Sequence, residues 1–339
     1  MARAESKMTR SGNEKSLQKK QSKTGKTIEK LSRLDIDEEF RKIILPYCRL
    51  KEGQIWKDPK GKHKVGVLDA TSFEDIEKLF DKNKIQLVVN DPPYNVVVGN
   101  ANTQNLSKIK IDDYIEFSRK WISNVLSVLD KNASLYIWLG ADQNDGFQPL
   151  PEFIMMMREF KELKTRSFIT MRNQRGYGTQ KNWMSVRQEL LYYTKGDPYF
   201  KVVYTDIPKI LGGYYKEVNG EVTNNFERSK SAFIRPGNVW VDIQQVFYRM
   251  EENVPGAYAQ KPLKAISRII EASSKKNDLV ADFFSHSGVT LLASEMLGRK
   301  CYAMEIDPVF AELSIRRLEH YRKTGKTGWQ WNSPFPEVN

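Results

Sequence analysis

The chain has 339 residues, 40% of them hydrophobic, and a net charge of +12 at a pI near 9.4. That apolar content supports one large α/β core with a modest insertion, and no run approaches the roughly 18 apolar residues of a membrane span. Cys48 and Cys301 are the only cysteines and the N-terminus has no apolar stretch, which argues against a disulfide framework and a secretory signal. A reducing, cytoplasmic setting is expected, and the basic balance suits a polyanionic partner.

Residues 1–30 carry seven Lys and two Arg against three Glu, half of the net charge, in a Ser/Lys/Thr/Gly-rich stretch predicted to be a disordered basic tail. It reads equally as a solubilising tail or as a non-specific phosphate-binding arm. Residues 31–62 read as a helical extension, with an amphipathic helix over 31–50 anchored by Leu31, Leu34, Phe40, Ile43 and Ile44 and broken at Pro46. The α/β pattern begins at Lys64: strand Val65–Leu68, helix Ser72–Phe80, strand Ile85–Val89, then Asp91-Pro92-Pro93-Tyr94. Asn95 to Ile109 is a long polar segment of the kind used for lids and binding loops. Helix Asp113–Leu129, with Ile115, Trp121, Ile122, Val125 and Leu129 inward, leads to strand Ser134–Leu139. Met155, Met156 and Met157 read as core filler on a short helix.

Arg172 to Lys181 is polar, basic and glycine-containing, either a flexible tracker of a nucleic-acid backbone or an ordinary connection. Residues 200–238 interleave Lys201, Lys209, Lys216, Arg228, Lys230 and Arg235 with Tyr204, Tyr214, Tyr215, Phe226 and Phe233, a mixture suited to phosphates and exposed bases. The core resumes at Val239-Trp240-Val241.

Two features carry chemistry. In the turn after Val89-Asn90, Pro92 and Pro93 fix φ and remove backbone donors, so a carboxylate and an aromatic ring are held at a strand's carboxyl end. Such a corner suits a flat, amine-bearing ring. Later, strand Leu279–Ala281 enters Asp282-Phe283-Phe284-Ser285-His286-Ser287-Gly288, a helix to Leu297, and a second strand ending in Glu305-Ile306-Asp307-Pro308. Strand, small-residue loop, helix, strand, acid is the logic of a nucleoside-binding crossover, the acid accepting ribose hydroxyls. No Gly-Lys-Ser/Thr is present, and the full G-x-G-x-x-G of dinucleotide sites is missing. Asp307 before Pro308 reads as a helix N-cap.

On these residues the chain resembles the S-adenosylmethionine-dependent amino-methyltransferases of DNA, in the permuted order with the catalytic turn first and the cofactor loop last. Gln260-Lys261-Pro262-Leu263, Asp69-Ala70 and the Glu189–Lys195 strand match further family elements, so the resemblance spans roughly 63–320. It implies a doubly wound, mostly parallel sheet of the Rossmann-like methyltransferase type with a small target-recognition insertion. The implied divisions are a catalytic half at 63–199, target recognition at 200–238, a cofactor half at 239–322 and a tail at 323–339. Asp91, Pro92, Pro93 and Tyr94 would act on the target base. Asp69, Lys261, Asp282, Phe283, Phe284, Ser285, Ser287, Gly288 and Glu305 would hold S-adenosylmethionine, with no metal.

In the family the chain resembles, Asp at the first position of the turn goes more often with adenine N6 and Ser with cytosine N4, so the resemblance implies adenine. Transfer to RNA or a protein amide, or a catalytically silent DNA-binding subunit, are the alternatives. Double-stranded DNA is the implied partner, with a restriction endonuclease and a second copy of the chain as further ones. The loop departs from the family: Phe283 stands for Pro, and His286 for a Gly. If that position needs φ > 0, His is among the less disfavoured replacements; its side chain reads as a solvated loop residue or as a contact to cofactor or base.

Overall fold

A computed structural model describes residues 33–93, 111–140, 149–177, 181, 183–209, 213–226 and 231–338. The tail 1–30, Tyr94 and the 95–109 segment lie outside the described residues. In chain order the first elements are α1 (Glu38–Ile44), β1 (Ile55–Lys57), β2 (His63–Val67), α2 (Phe73–Phe80) and β3 (Ile85–Asn90). Next come α3 (Ile111–Val128), β4 (Leu129–Leu139), α4 (Pro149–Met157), β5 (Leu163–Tyr177) and β6 (Ser185–Lys195). The remainder is β7 (Gly213–Val218), β8 (Glu221–Phe226), β9 (Val239–Trp240), α5 (Leu263–Ser273), β10 (Leu279–Asp282), α6 (Val289–Met296), β11 (Lys300–Glu305) and α7 (Pro308–Thr324).

One sheet has the order β1-β2-β11-β10-β3-β4-β6-β5-β9, with the run from β2 to β4 wholly parallel. β3 and β10 are the middle of that run and are buried on both faces, as a parallel strand between two helix layers must be. Side chains alternate between the layers. Val88, Ala281, Leu135 and Ile137 pack with Trp121, Ile122 and Val125 of α3 and Phe153 of α4. Leu87, Val89, Val280, Tyr136 and Trp138 pack with Ile266, Ile269 and Ile270 of α5 and Ala293 of α6.

From β3 the chain crosses by α3 to β4 on one side; from β10 it crosses by α6 to β11 on the other. β3 and β10 therefore flank the point where the winding reverses. At such a point the loops leave in opposite directions and a crevice opens beyond the carboxyl ends.

Several expected elements shift. The helix of 31–50 is confined to α1, because Asp37 caps it by accepting from the Phe40 amide and Leu45 to Tyr47 tighten into a 3-10 turn. Leu34 is buried ahead of the helix, but Ile43 faces solvent at 55% exposure and is not an anchor. Of the three methionines, Met156 and Met157 fill the core while Met155 is exposed. Arg172 to Tyr177 is not a loop: it is the end of β5, paired with β6. Within 200–238, β7 and β8 form a separate two-stranded ribbon. Its stem is tied by Lys209 N to Ala232 O and Ile234 N to Ile207 O, both 2.9 Å.

Candidate active site

The two sequence features meet at the winding reversal. Register pairs Val280 with Leu87 and Ala281 with Val88, so Asp282 emerges beside the start of the Asp91 turn. The junction is fastened by Asn90, which sequence reading passed over. Its Oδ1 accepts from the Phe283 amide at 3.0 Å, while its Nδ2 is buried with no partner. Asp91, Lys261, Asp282, Phe284, Ser285 and Ser287 line one crevice, with Trp138 and His286 in its wall.

Across it Lys261 Nζ donates to Asp91 Oδ2 at 2.6 Å. Lys261 is nearly buried and sits just before α5, where Pro262 opens the helix in extended conformation. The second Asp91 oxygen, Oδ1, is buried and has no hydrogen-bond partner. It is an acceptor left open on a residue that lines the crevice. Pro92 is buried behind the turn and Pro93 half-buried.

The 282–288 loop is built from the backbone outwards. Asp282 Oδ1 accepts from the Phe284 amide at 3.0 Å, and Ser285 N donates to Met304 O at 2.9 Å. His286 has φ 43 and Gly288 φ 70, so the position that departs from the family does adopt the left-handed region. A Cβ on Gly288 would lie 2.7 Å from Ser314 Cα, which makes glycine a packing requirement there. The left-handed turn aims the His286 amide at Glu305 Oε2, 2.7 Å away, and the Asp307 amide reaches Glu305 Oε1 at 3.2 Å. Glu305 is thus held by both oxygens before any ligand is considered. His286 is not a solvated side chain: its ring lies 4.5 Å from that of Phe310, centroid to centroid, and burial pushes its pKa down to about 4.

The remaining expected residues divide. The Phe283 ring faces the core against Phe80 at 5.3 Å, so only its backbone serves the loop. The Ser285 hydroxyl pairs with Ser314 Oγ at 2.8 Å. Asp69 follows β2, one residue past Leu68, whose amide bonds Glu305 O at 3.0 Å; its Oδ1 holds the Thr71 amide at 2.8 Å. Glu189 lies in β6, accepting from Thr170 Oγ1. Asp307 is the N-cap of α7, its Oδ1 accepting from Val309 N at 2.9 Å, and it also pairs with Arg41 at 2.6 Å.

Electrostatics in the crevice and behind its loop are dominated by burial. It pushes Asp282 up to about 7, with Asp91 adding to the rise, and Glu305 up to about 7, with Asp307 adding. Beneath the loop lies Arg317, fully buried and pushed down to about 10 by desolvation. It donates to the carbonyls of Ser287 at 3.0 Å, Glu252 at 3.0 Å and Thr327 at 2.8 Å. The Glu252 carboxylate in turn accepts from Leu263 N at 2.7 Å, so one guanidinium ties the loop to the start of the Lys261 helix. No motif signalled it. Among the described residues no group of His, Cys, Asp and Glu could hold a metal ion.

A doubly wound α/β domain with carboxylates and a lysine gathered at the winding reversal is a ligand-handling enzyme scaffold. Residues 85–316 match the DNA methylase family of N6 and N4 amino-methyltransferases, and the chain belongs to that family. It is 30% identical to the type II methyltransferase M1.MboII of Moraxella bovis over 73% of this chain and 95% of that protein. To the DNA adenine methyltransferase YhdJ of Escherichia coli (strain K12) it is 27% identical, over 75% of this chain and 84% of that one. The fold is shared with the cytosine-N4-specific PvuII DNA methyltransferase, with TM-score 0.54 and 16% identity over 77% of this chain and 89% of that one.

Proposed function

We propose that the protein transfers a methyl group from S-adenosylmethionine to the exocyclic N6 amine of adenine in double-stranded DNA, with the target base swung out of the duplex. One observation carries this reading: Asp91 and the 282–288 loop, 191 positions apart from Asp91 to Asp282, line a single crevice.

The residues present fit that cofactor. Glu305, preset by two amides, suits a pair of ribose hydroxyls; Asp69 suits an adenine amine; Lys261 with the backbone around Ser285–Gly288 suits a methionine carboxylate and chain, with Asp282 beside them. Bound there, the cofactor supplies an electrophilic methyl on a sulfonium. Asp91 does the remaining work. An exocyclic amine is a poor nucleophile because its lone pair is delocalised into the ring. The Asp91 carboxylate and the Pro92 carbonyl would accept the two amine hydrogens and favour a pyramidal nitrogen whose lone pair faces the donor. Rate then comes chiefly from orientation and proximity. No strong base is needed, since the methylated ammonium readily loses its proton. Tyr94 would stack on the base, which the duplex must release first.

Asp at the first position of the turn, together with similarity to an adenine enzyme, favours adenine. A restriction endonuclease partner and pairing with a second copy of the chain belong to the same reading. The β7–β8 ribbon and its stem supply the target-recognition segment.

The test is transfer of label from tritiated S-adenosylmethionine to unmethylated duplex DNA, followed by nucleoside chromatography. Label in N6-methyladenine is expected. Label in N4-methylcytosine overturns the choice of base, and label in no nucleoside overturns the activity. Asp91→Ala is expected to abolish transfer while leaving cofactor binding by equilibrium dialysis nearly unchanged. Loss of cofactor binding in that variant would overturn the division of roles between the two halves.

A further inference from the structure

The β5–β6 ribbon continues beyond the edge of the sheet on the crevice side. Asn90 is level with Ile137 of β4, and Leu139 of β4 with Glu189 of β6, so Glu189 stands at the height of the Asp91-Pro92 turn. From there β6 extends to Ser185, paired with Tyr177 of β5. Those further residues rise about 13 Å above the turn at ordinary strand spacing, and β6 stands about 10 Å to the side of β3. Near the ribbon's end Trp183 is 93% exposed and Met184 63%. Exposed cations lie on the same ribbon and beside it in sequence: Arg172 and Arg187, which pair across it, and Lys181.

A single exposed aromatic on a protein surface is ordinary. This one differs in its place. It stands with a second exposed apolar side chain just past the end of a strand that overtops the Asp91 turn to one side, on a ribbon bearing exposed cations, in a member of a DNA methylase family. The crevice floor is Asp91; whatever delivers a base to it must leave the rest of the duplex at the height of the ribbon. Withdrawing a base from the stack costs stacking and pairing energy, least in single strands. Apolar and aromatic side chains inserted between base steps offset that cost, and nearby Arg and Lys hold the phosphates.

We propose that Trp183, flanked by Met184, is the wedge that enters the duplex beside the target nucleotide and occupies the gap left by the departing base. It is a positioning residue, touching the neighbouring bases rather than the reacting nitrogen. The inference rests on the reading that the substrate base is taken from duplex DNA.

The experiment compares initial rates of methyl transfer to unmethylated plasmid DNA as intact duplex and after heat denaturation, for the wild type, Trp183→Ala and Trp183→Phe. Trp183→Ala is expected to lose tenfold or more on duplex and less than twofold on denatured DNA, while Trp183→Phe keeps at least half of the duplex rate. An unchanged duplex rate in Trp183→Ala, or an equal fall on both substrates, overturns the proposal. If the wild type uses only duplex, the pair of variants decides: retention by Phe with loss by Ala supports a wedge, and equal loss overturns it. Absence of transfer to any DNA by the wild type would instead sink the methyltransferase reading itself.

Discussion

Asp282 carries a testable energetic signature. It is 4% exposed and its carboxyl is pushed from 3.8 up to about 7, first by burial and then by Asp91, against the help of Thr290 and the Phe284 amide. The sign follows from proton linkage. Below pH 4 both folded and unfolded chains hold the proton. Between about pH 4 and 7 the unfolded chain releases it first, so this group's contribution to stability falls as pH rises and is fully lost above 7. A shift of about three units at about 1.4 kcal/mol each makes the ionised side chain cost roughly 4 kcal/mol at pH 8. Asp282→Asn removes that charge, keeps an oxygen for the Phe284 amide, and gives up about 1 kcal/mol of charge-assisted hydrogen bonding.

The net expectation is a gain of about 3 kcal/mol at pH 8 that shrinks to under about 1 kcal/mol at pH 5, since linkage has withdrawn only part of the term there. Urea melts of the ligand-free protein and the variant at both pH values read it directly. A variant no more stable at pH 8, or one whose advantage is the same at pH 5, refutes the reasoning. The gain should be accompanied by weaker cofactor binding, as expected where a site retains an unfavourable charge for its ligand.

Two further substitutions test the scaffold beneath the crevice. Gly288→Ala places a Cβ 2.7 Å from Ser314 Cα at φ 70, and is expected to destabilise by about 1–3 kcal/mol and to weaken cofactor binding by equilibrium dialysis. Arg317→Met leaves the carbonyls of Ser287, Glu252 and Thr327 without their donor; a loss of about 3 kcal/mol or more in a urea melt is expected.

The central strands were readable because their residues are apolar on both faces and bounded by turn chemistry: Ile85–Val89 and Leu279–Ala281 needed no tertiary information. Ser72, expected as the first residue of α2, serves instead as its N-cap, accepting from Asp75 N. The end of β5 was illegible because Arg172 to Tyr177 lacks apolar alternation, and its pairing with β6 is the evidence for the strand. Ile43 fits a helical stripe, but the helix packs through Arg41 and Ile44 instead. Within the site, Asp91, Lys261, Asp282 and Glu305 were legible as chemistry-bearing types at motif positions. Their contacts were not. The Lys261–Asp91 pair joins residues 170 apart, and Arg317 is one basic residue among several on α7.

The pairing of Lys261 with Asp91 has an electrical consequence for a polyanion. Counted by formula, the crevice carries Asp91 and Asp282, with Glu305 held against the loop at the His286 amide, and ought to repel phosphates. Instead Lys261 offsets the first, while burial pushes the carboxyls of Asp282 and Glu305 up to about 7 and so disfavours their charge. DNA approaching the site therefore meets less negative charge than the residue count gives, and raising the pH would progressively charge the crevice against it.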